Sequence, residues 1–159
     1  MRNKKIKKSE GIYSDCKNRW CLIGLKKETK IPGEIYVLGD DEVNVYIYQR
    51  VDQNMNLGVI KKMLINRIII LEFNKKRQRD IHIALGNPFE GRLSSYTIFQ
   101  GKKCQLECVR GSISEFLFRS KDYQSVVIEA MDNFFMSVLS QANERIVIKK
   151  GDIAMLIES

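Results

Sequence analysis

Short apolar runs, several with alternating side-chain character, recur along the chain and limit its fold more than any other feature. Residues 43–50, VNVYIYQR, place Val43, Val45 and Ile47 on one face of an extended strand. That period of two is typical of a half-buried β-strand. Comparable runs lie at residues 20–25, 34–39, 67–73, 80–85, 95–99, 103–109, 115–119, 145–150 and 153–158. They follow one another without repeated strand–helix alternation, which favours an antiparallel β fold.

The clearest pair of strands lies at residues 34–39 and 43–50. The intervening DDE provides turn-forming residues, so the sequence predicts a β-hairpin. A further turn is predicted at IPG, residues 31–33, and a polar loop at DQNMNLG, residues 52–58. Residues 67–73, RIIILEF, are apolar on both faces, and this composition predicts a central strand that is covered on both sides.

One long helix is predicted at about residues 121–142. Ser120 is a favourable N-cap, and Asp122 in the first turn complements the helix dipole. Apolar residues recur at helical spacing and form a core-facing stripe: Tyr123, Val126, Val127, Ala130, Met131, Phe134, Val138 and Leu139. Ile128 and Phe135 widen this stripe. We therefore predict that they form an interface with a partner or a second copy, unless the closing strands cover them.

These elements predict a mostly β (α+β) protein, an antiparallel β-roll or barrel with one long helix in its C-terminal region. A basic flexible tail, residues 1–11, precedes a single β-rich domain, residues 12–159. No internal repeat is evident from the residue identities.

The stretch CQLECVRGSISEFLFRSKDYQSVVIEAMDNFF resembles the end of a pleckstrin-homology-type domain. In that family, two antiparallel strands lead into a helix that closes an open β-roll. The resemblance implies strands at Leu106–Val109 and Glu115–Arg119, and a helix from Lys121. A sheet-plus-helix layout similar to that of plant and mitochondrial single-strand nucleic-acid binders is the alternative.

Composition and charge indicate the class of partner. The chain has 159 residues, of which 44% are hydrophobic and 29% charged, as in ordinary globular proteins. Its net charge of +8 favours nucleic acid, an acidic membrane surface or an acidic protein face as partner. No apolar run approaches the roughly 20 residues of a membrane-spanning helix, and no secretory signal is recognisable. The sequence therefore predicts an intracellular protein, either cytoplasmic or peripherally bound to a membrane.

A basic segment, NKKRQRD at residues 74–80, lies between two of the predicted strands. Its cations are Lys75, Lys76, Arg77 and Arg79. Four cations on a short hairpin tip focus a positive potential, and arginine can hold phosphate oxygens through two hydrogen bonds. Further lysines would widen the patch if their turns share its end of the fold: Lys61, Lys62, Lys102 and Lys103. The predicted ligand is an anionic head group or an acidic protein. A solvated turn that only keeps an edge soluble is the alternative.

A second set of residues predicts a different ligand. Tyr46, Tyr48 and Arg50 share one face of a strand, and Tyr36 is expected on the neighbouring strand. If exposed, such aromatic side chains stack on bases while lysines bind phosphates. If buried, they are core residues whose hydroxyls reach the surface. Single-stranded nucleic-acid binding is therefore the alternative function.

Catalysis and metal binding are not predicted. His82 is the single histidine and points away from the apolar face of its strand, and no catalytic or phosphate-binding motif occurs. Cys104 and Cys108 are four positions apart on a predicted strand, about 13 Å, too far to share one zinc ion. Together with Cys16 and Cys21 they are expected to be free thiols. The sequence thus predicts a non-enzymatic binding or scaffolding module without a cofactor.

Overall fold

The computed structural model describes residues 13–26, 31–71, 96–118 and 124–159 of the chain. These residues form ten strands: β1 Trp20–Leu25, β2 Glu34–Asp40, β3 Asn44–Val51, β4 Asn54–Lys61, β5 Ile65–Ile70, β6 Lys103–Cys108, β7 Gln124–Met131, β8 Phe135–Ser140, β9 Arg145–Lys149 and β10 Ile153–Glu158. Helical structure within this part is short: a turn at 13–16, 3-10 turns at Lys62–Leu64, Thr97–Phe99 and Lys150–Asp152, and a helix at Ile113–Phe118. The predicted tail, the basic segment at 74–80 and His82 lie outside the described residues.

The chain divides into two compact units. The described residues of the first are 13–26, 31–55 and 62–71, and those of the second are 56–61, 96–118 and 124–159. The strand order is β5-β1-β2-β3 in the first unit and β4-β10-β6-β7-β8-β9 in the second. Neighbouring strands within each unit are antiparallel. The predicted hairpin is confirmed, since β2 pairs with β3 and Tyr36 lies opposite Tyr48.

Each unit buries β-branched and aromatic side chains. In the first, the rings of Trp20 and Tyr36 meet edge to face with centroids 5.3 Å apart, and neither residue is exposed. In the second, Phe99, Ile128 and Val138 are fully buried. Such side chains pack well on a pleated surface, which is why these segments form strands.

The predicted long helix at about 121–142 is wrong. Residues 124–131 form β7 and residues 135–140 form β8, which pair as a hairpin with Ile128 opposite Val138. The Asp132 carboxylate forms the turn by accepting the N–H groups of Phe134 and Phe135. The β-branched residues of this segment suit strands better than helices, and its apolar spacing also fits a period of two.

The pleckstrin-homology-like layout fails with the loss of that helix. The strand predicted at 115–119 is also wrong, because Ile113–Phe118 is a short helix. Ser112 Oγ accepts the N–H of Glu115, while Glu115 Oε1 accepts the N–H of Gly111. This reciprocal capping satisfies N–H groups at the start of the helix and overrides the apolar strand-like pattern.

Two further differences concern β4 and β5. Residues 52–58, expected to be a polar loop, contain the start of β4. Residues 67–73 were expected to be a central strand, but β5 pairs with β1 alone among the described strands. Its Ile69 and Ile70 are exposed. The apolar composition of β5 therefore does not match its position in the strand order.

Residues 13–71 and 96–159 repeat one arrangement, and we call them the N-terminal and C-terminal repeats. Each has a helical turn, a strand, a hairpin, a strand, a 3-10 turn and a last strand, so that β1–β5 correspond to β6–β10. The C-terminal repeat has in addition the helix Ile113–Phe118 between β6 and β7. A left-handed residue precedes the first strand of each, Asn18 with φ 60° and Gly101 with φ 83°. Their N–H groups donate to equivalent carbonyls, Val37 O at 2.7 Å and Ile128 O at 2.6 Å.

The two hairpins have the same turn. Asp41 Oδ1 accepts the N–H groups of Val43 and Asn44, at 2.8 and 2.7 Å. Asp132 Oδ1 accepts those of Phe134 and Phe135 at the same two distances. Each hairpin also has a register shift at the equivalent place, between Val37 and Gly39 and between Ile128 and Ala130. A bulge and a side-chain-capped turn at matching positions indicate a structural duplication.

The last strands of the two repeats, β5 and β10, also correspond to each other. β5 pairs with β1 so that Cys21 lies opposite Ile70, and β10 pairs with β6 so that Cys104 lies opposite Glu158. Both pairings contain a register shift near their far end. Leu71 N–H donates to Trp20 O and Ser159 N–H to Lys103 O, at 2.9 and 3.0 Å. Each strand of one repeat therefore has an identified counterpart in the other.

Candidate functional site

The counterparts of β4 and β10 are two strands that have only one neighbour among the described strands. β4 corresponds to β9, and β10 corresponds to β5. Among the described strands, β9 pairs only with β8 and β5 only with β1. We call their unpaired sides the β9 edge and the β5 edge.

Within the second unit, β4 and β10 cover each other. Ile60 lies opposite Met155, Val59 opposite Leu156 and Gly58 opposite Ile157. Leu57 N–H donates to Glu158 Oε1 at 3.1 Å. These hydrogen bonds and apolar contacts leave β10 buried from Ile153 to Ile157.

Equivalent residues differ sharply in exposure. Val59 of β4 is 1% exposed, whereas its counterpart Val147 of β9 is 57% exposed. Ile157 of β10 is 2% exposed, whereas its counterpart Ile69 of β5 is 45% exposed. The duplication therefore leaves apolar side chains uncovered on the β5 and β9 edges, where β4 and β10 are covered.

Lys61 and Lys149 show the same contrast. Lys61 Nζ donates to Gly151 O at 2.8 Å, in the 3-10 turn before β10, and the residue is buried. Burial lowers the pKa of Lys61, although the Asp152 carboxylate opposes this effect. Lys149, its counterpart on β9, is exposed. The position of Lys61 thus depends on the strand pairing that β9 lacks.

A second feature is a polar cluster at the β2–β3 turn, which we call the turn cluster: Tyr13, Asp40, Asp41, Asn44, Tyr46 and Lys62. Lys62 Nζ lies 2.6 Å from Asp40 Oδ2 and 4.3 Å from the centroid of the Tyr13 ring. Tyr46 OH donates to Asp41 Oδ2. Burial would raise the pKa of Asp41, but hydrogen bonds from Tyr46, Asn44 and Val43 and the nearby Lys62 together lower it.

The C-terminal repeat replaces much of this cluster with other side chains. Asp40, Asn44 and Tyr46 correspond to Met131, Phe135 and Ser137, whereas the lysine and tyrosine are kept as Lys150 and Tyr96. The turn therefore forms without a polar residue at the Asp40 and Asn44 positions. Asn44 Oδ1 is buried and has no hydrogen-bond partner among the described residues, an arrangement that costs free energy unless another group satisfies it.

The predicted anion-binding residues fall into separate settings. Lys75, Lys76, Arg77 and Arg79 lie outside the described residues, so their patch stays a prediction. Lys61 is buried, and Lys62 belongs to the turn cluster. Lys102 Nζ lies 3.1 Å from Glu158 Oε2, and Lys103 is exposed at the start of β6.

The predicted aromatic face is mostly buried. Tyr36 and Tyr48 are 0% and 6% exposed, and no partner is found for the Tyr36 hydroxyl. Arg50 donates to Glu34, and its guanidinium lies 4.5 Å from the centroid of the Trp20 ring. Of the three tyrosines, Tyr46 alone is partly exposed, and Arg50 is partly exposed as well. The rings of Tyr36 and Tyr48 therefore lie in the core, and the Tyr36 hydroxyl is buried with its ring rather than at the surface.

The two residues predicted at an interface separate on the β7–β8 hairpin. Ile128 is fully buried in β7, whereas Phe135 is 45% exposed on β8. The widened helical stripe that placed them together does not exist.

The four cysteines are buried free thiols. Burial raises the pKa of Cys21, Cys104 and Cys108 to about 12 each, and that of Cys16 also lies above its usual value. No group of three or more potential metal ligands forms among the described residues. Within the same part of the chain, no helix is long and apolar enough to cross a membrane.

Sequence reasoning missed the two edges because it missed the duplication. The signal was short: VIKK occurs at residues 59–62 and again at 147–150. Cys21 and Cys104 also follow Tyr13 and Tyr96 at the same spacing. No family model, curated protein or solved structure matches the chain.

Proposed function

We propose that this chain is a non-enzymatic scaffolding module that binds protein partners by adding a strand to its β5 and β9 edges. The pairing of β4 with β10 supports this proposal, because the equivalent β9 and β5 have no such partner within the part of the chain that the structure describes. Free strand edges present unpaired N–H and C=O groups, and natural proteins usually block them. Here the edges instead carry exposed isoleucine and valine side chains.

An added strand would pair with the N–H and C=O groups of these edges and would cover their exposed apolar side chains. Main-chain hydrogen bonds give affinity, and alternate side chains give specificity. The sequence of β5 supports this reading, since an apolar strand of this composition is typical of a central position with a neighbour on each side. The predicted anionic head group depends on Lys75, Lys76, Arg77 and Arg79 and stays a prediction.

A labelled peptide can test binding at the β9 edge. Its sequence would be residues 153–159, the strand that covers β4, with added lysines for solubility. We expect fluorescence anisotropy to rise with the wild-type protein. Val147→Pro should weaken binding at least about tenfold, because proline removes a hydrogen-bond donor and its ring obstructs the incoming strand.

The choice of Val147 follows from the backbone geometry. Lys150 N–H donates to Phe134 O at 2.7 Å, toward β8. Because N–H directions alternate along a strand, the Val147 N–H points away from β8, and proline there spares the β8–β9 hydrogen bonds. Val147→Ala keeps the N–H and is the matched control, with binding expected to remain. Equal binding by the wild type and Val147→Pro would contradict strand addition.

The turn cluster supports a second candidate, single-stranded nucleic-acid binding. Its carrying observation is the Tyr13 ring with Lys62 Nζ 4.3 Å from its centroid, since both residues are partly exposed. Single-stranded bases are recognised through hydrogen bonds to their edges and through stacking. An aromatic ring and a lysine are both present in the cluster.

Labelled oligonucleotides would test this candidate. We expect Tyr13→Leu and Lys62→Gln each to weaken binding of single-stranded RNA or DNA about tenfold, since each removes a stacking or charged contact. Lys150→Gln, at the equivalent position of the C-terminal repeat, is the control for charge alone. Equal losses for Lys62→Gln and Lys150→Gln, with no effect of Tyr13→Leu, would indicate only general attraction to phosphates.

A further inference from the structure

The partner that best fits the β5 edge is the β9 edge of a second copy of this chain. We infer that copies associate head to tail, the β9 edge of one pairing with the β5 edge of the next. This inference rests on the proposed strand addition and names its partner. Its basis is the second unit, where the counterparts of these two strands, β4 and β10, already pair with each other.

The pairing of β4 with β10 also predicts which residues lie opposite each other when two copies associate. Leu156 lies opposite Val59, and Ile157 lies opposite Gly58. Their counterparts place Ile68 of one copy opposite Val147 of the next, and Ile69 opposite Ile146. The outward N–H groups agree with this register. Leu71 N–H donates to Trp20 O, toward β1, and alternation therefore directs the Ile68 N–H away from β1.

A side-chain contact at the end of the β4–β10 pairing has an equivalent between copies as well. Lys61 Nζ donates to the carbonyl of Gly151, whose equivalent is Met63. Lys149 of one copy would therefore donate to Met63 O of the next, and both residues are exposed in a single chain. The same pairing would cover Ile69 and Val147, as β4 and β10 cover Ile157 and Val59.

Charge sets the conditions for association. Arg67, Arg145 and Lys149 lie on the two edges, and only Arg145 has an ion-pair partner among these three in the described residues, Glu129. These charges do not lie directly opposite one another in the inferred register, but the two basic edges repel at longer range, and salt screens such exposed charges over about 10 Å at 0.1 M. Association is therefore expected to strengthen between about 0.1 M and 0.5 M salt.

Cysteine cross-linking tests both partner and register. Ile69→Cys and Ile146→Cys would face each other with Cα atoms about 4.5 Å apart, within disulfide range. We expect oxidation of a mixture of the two single variants to give a linked dimer, and neither variant alone to link. The wild type, oxidised in parallel, controls for its four buried thiols. Ile65→Cys replaces Ile69→Cys as the register control, since it lies about 13 Å along the strand.

Proline variants test the same inference without oxidation. Ile68→Pro blocks the β5 edge, and Val147→Pro blocks the β9 edge. In sedimentation velocity, we expect the wild type to form species larger than dimers, and each proline variant alone to be monomeric. An equal mixture should form a dimer and nothing larger, because one unblocked pair of edges remains. Circular dichroism checks that each variant is folded.

The outcomes separate the inference from the proposed function. Linking of Ile146→Cys to itself would indicate a two-fold pairing of β9 edges and overturn the head-to-tail arrangement. A monomeric wild type that still binds the β10 peptide would overturn self-association and leave strand addition intact. Loss of both peptide binding and self-association would overturn both.

Discussion

Gly33→Ala should destabilise the protein by more than about 3 kcal/mol. Gly33 has φ 79°, a conformation that costs an L-residue about 1–2 kcal/mol. An added Cβ would also lie 2.1 Å from Arg50 O and 3.0 Å from Arg50 C. Both atoms belong to the backbone of β3, so relief requires a shift of that strand against β2. Urea denaturation would measure the change in the free energy of unfolding.

Two other glycines separate the causes of this effect. Gly101→Ala has the same backbone cost, with φ 83°, but its Cβ would meet nothing within 4 Å. It should cost about 1–2 kcal/mol. Gly39 has no positive φ and the same open space, so Gly39→Ala should change stability by less than about 1 kcal/mol. Equal costs for Gly33→Ala and Gly101→Ala would show that Arg50 does not restrict the turn.

Ile157→Ala should destabilise the protein by about 2–5 kcal/mol, whereas Ile69→Ala should cost less than about 1 kcal/mol. The two isoleucines occupy equivalent positions of the two repeats. Ile157 is 2% exposed because β4 lies beside β10, and Ile69 is 45% exposed. Loss of buried methyl groups leaves a cavity only at Ile157. Chemical denaturation at submicromolar protein would give both values for the single chain.

The same pair of variants reports on association. At higher protein concentration, the cost of Ile69→Ala should rise toward that of Ile157→Ala, because association would bury Ile69. The cost of Ile157→Ala should not depend on concentration. Similar costs for the two variants at low concentration would contradict the difference in burial.

Much of the strand content followed from local pattern. The predicted strands at 20–25 and 153–158 agree with β1 and β10, and the hairpin at 34–39 and 43–50 agrees with β2 and β3. Alternation and β-branched composition are local properties, so a single sequence carries them. Where two local patterns coincided, the interpretation failed: residues 124–140 have both helical spacing and alternation, and the Asp132 turn made them a hairpin.

The candidate site was less predictable. The β5 and β9 edges exist because no described strand lies beside them. Which strands become neighbours depends on long-range contacts, and local sequence patterns do not carry these. The duplication was hidden because hydrogen bonds and bulges are kept while most residue identities are not. The repeated VIKK is only four residues long. It becomes informative only once the structure shows that each occurrence leads into an equivalent 3-10 turn.

The sequence by itself indicated most of the antiparallel strands, a net charge of +8, free thiols and the apolar character of β5, but it wrongly predicted a long helix where β7 and β8 lie. Those properties depend on side-chain chemistry and on spacing over a few residues. Only the tertiary structure decided that β10 is covered while β5 is open, although both are apolar strands. The physical reason is that burial depends on which strand becomes a neighbour, and here β4 covers β10 while no described strand covers the outer side of β5.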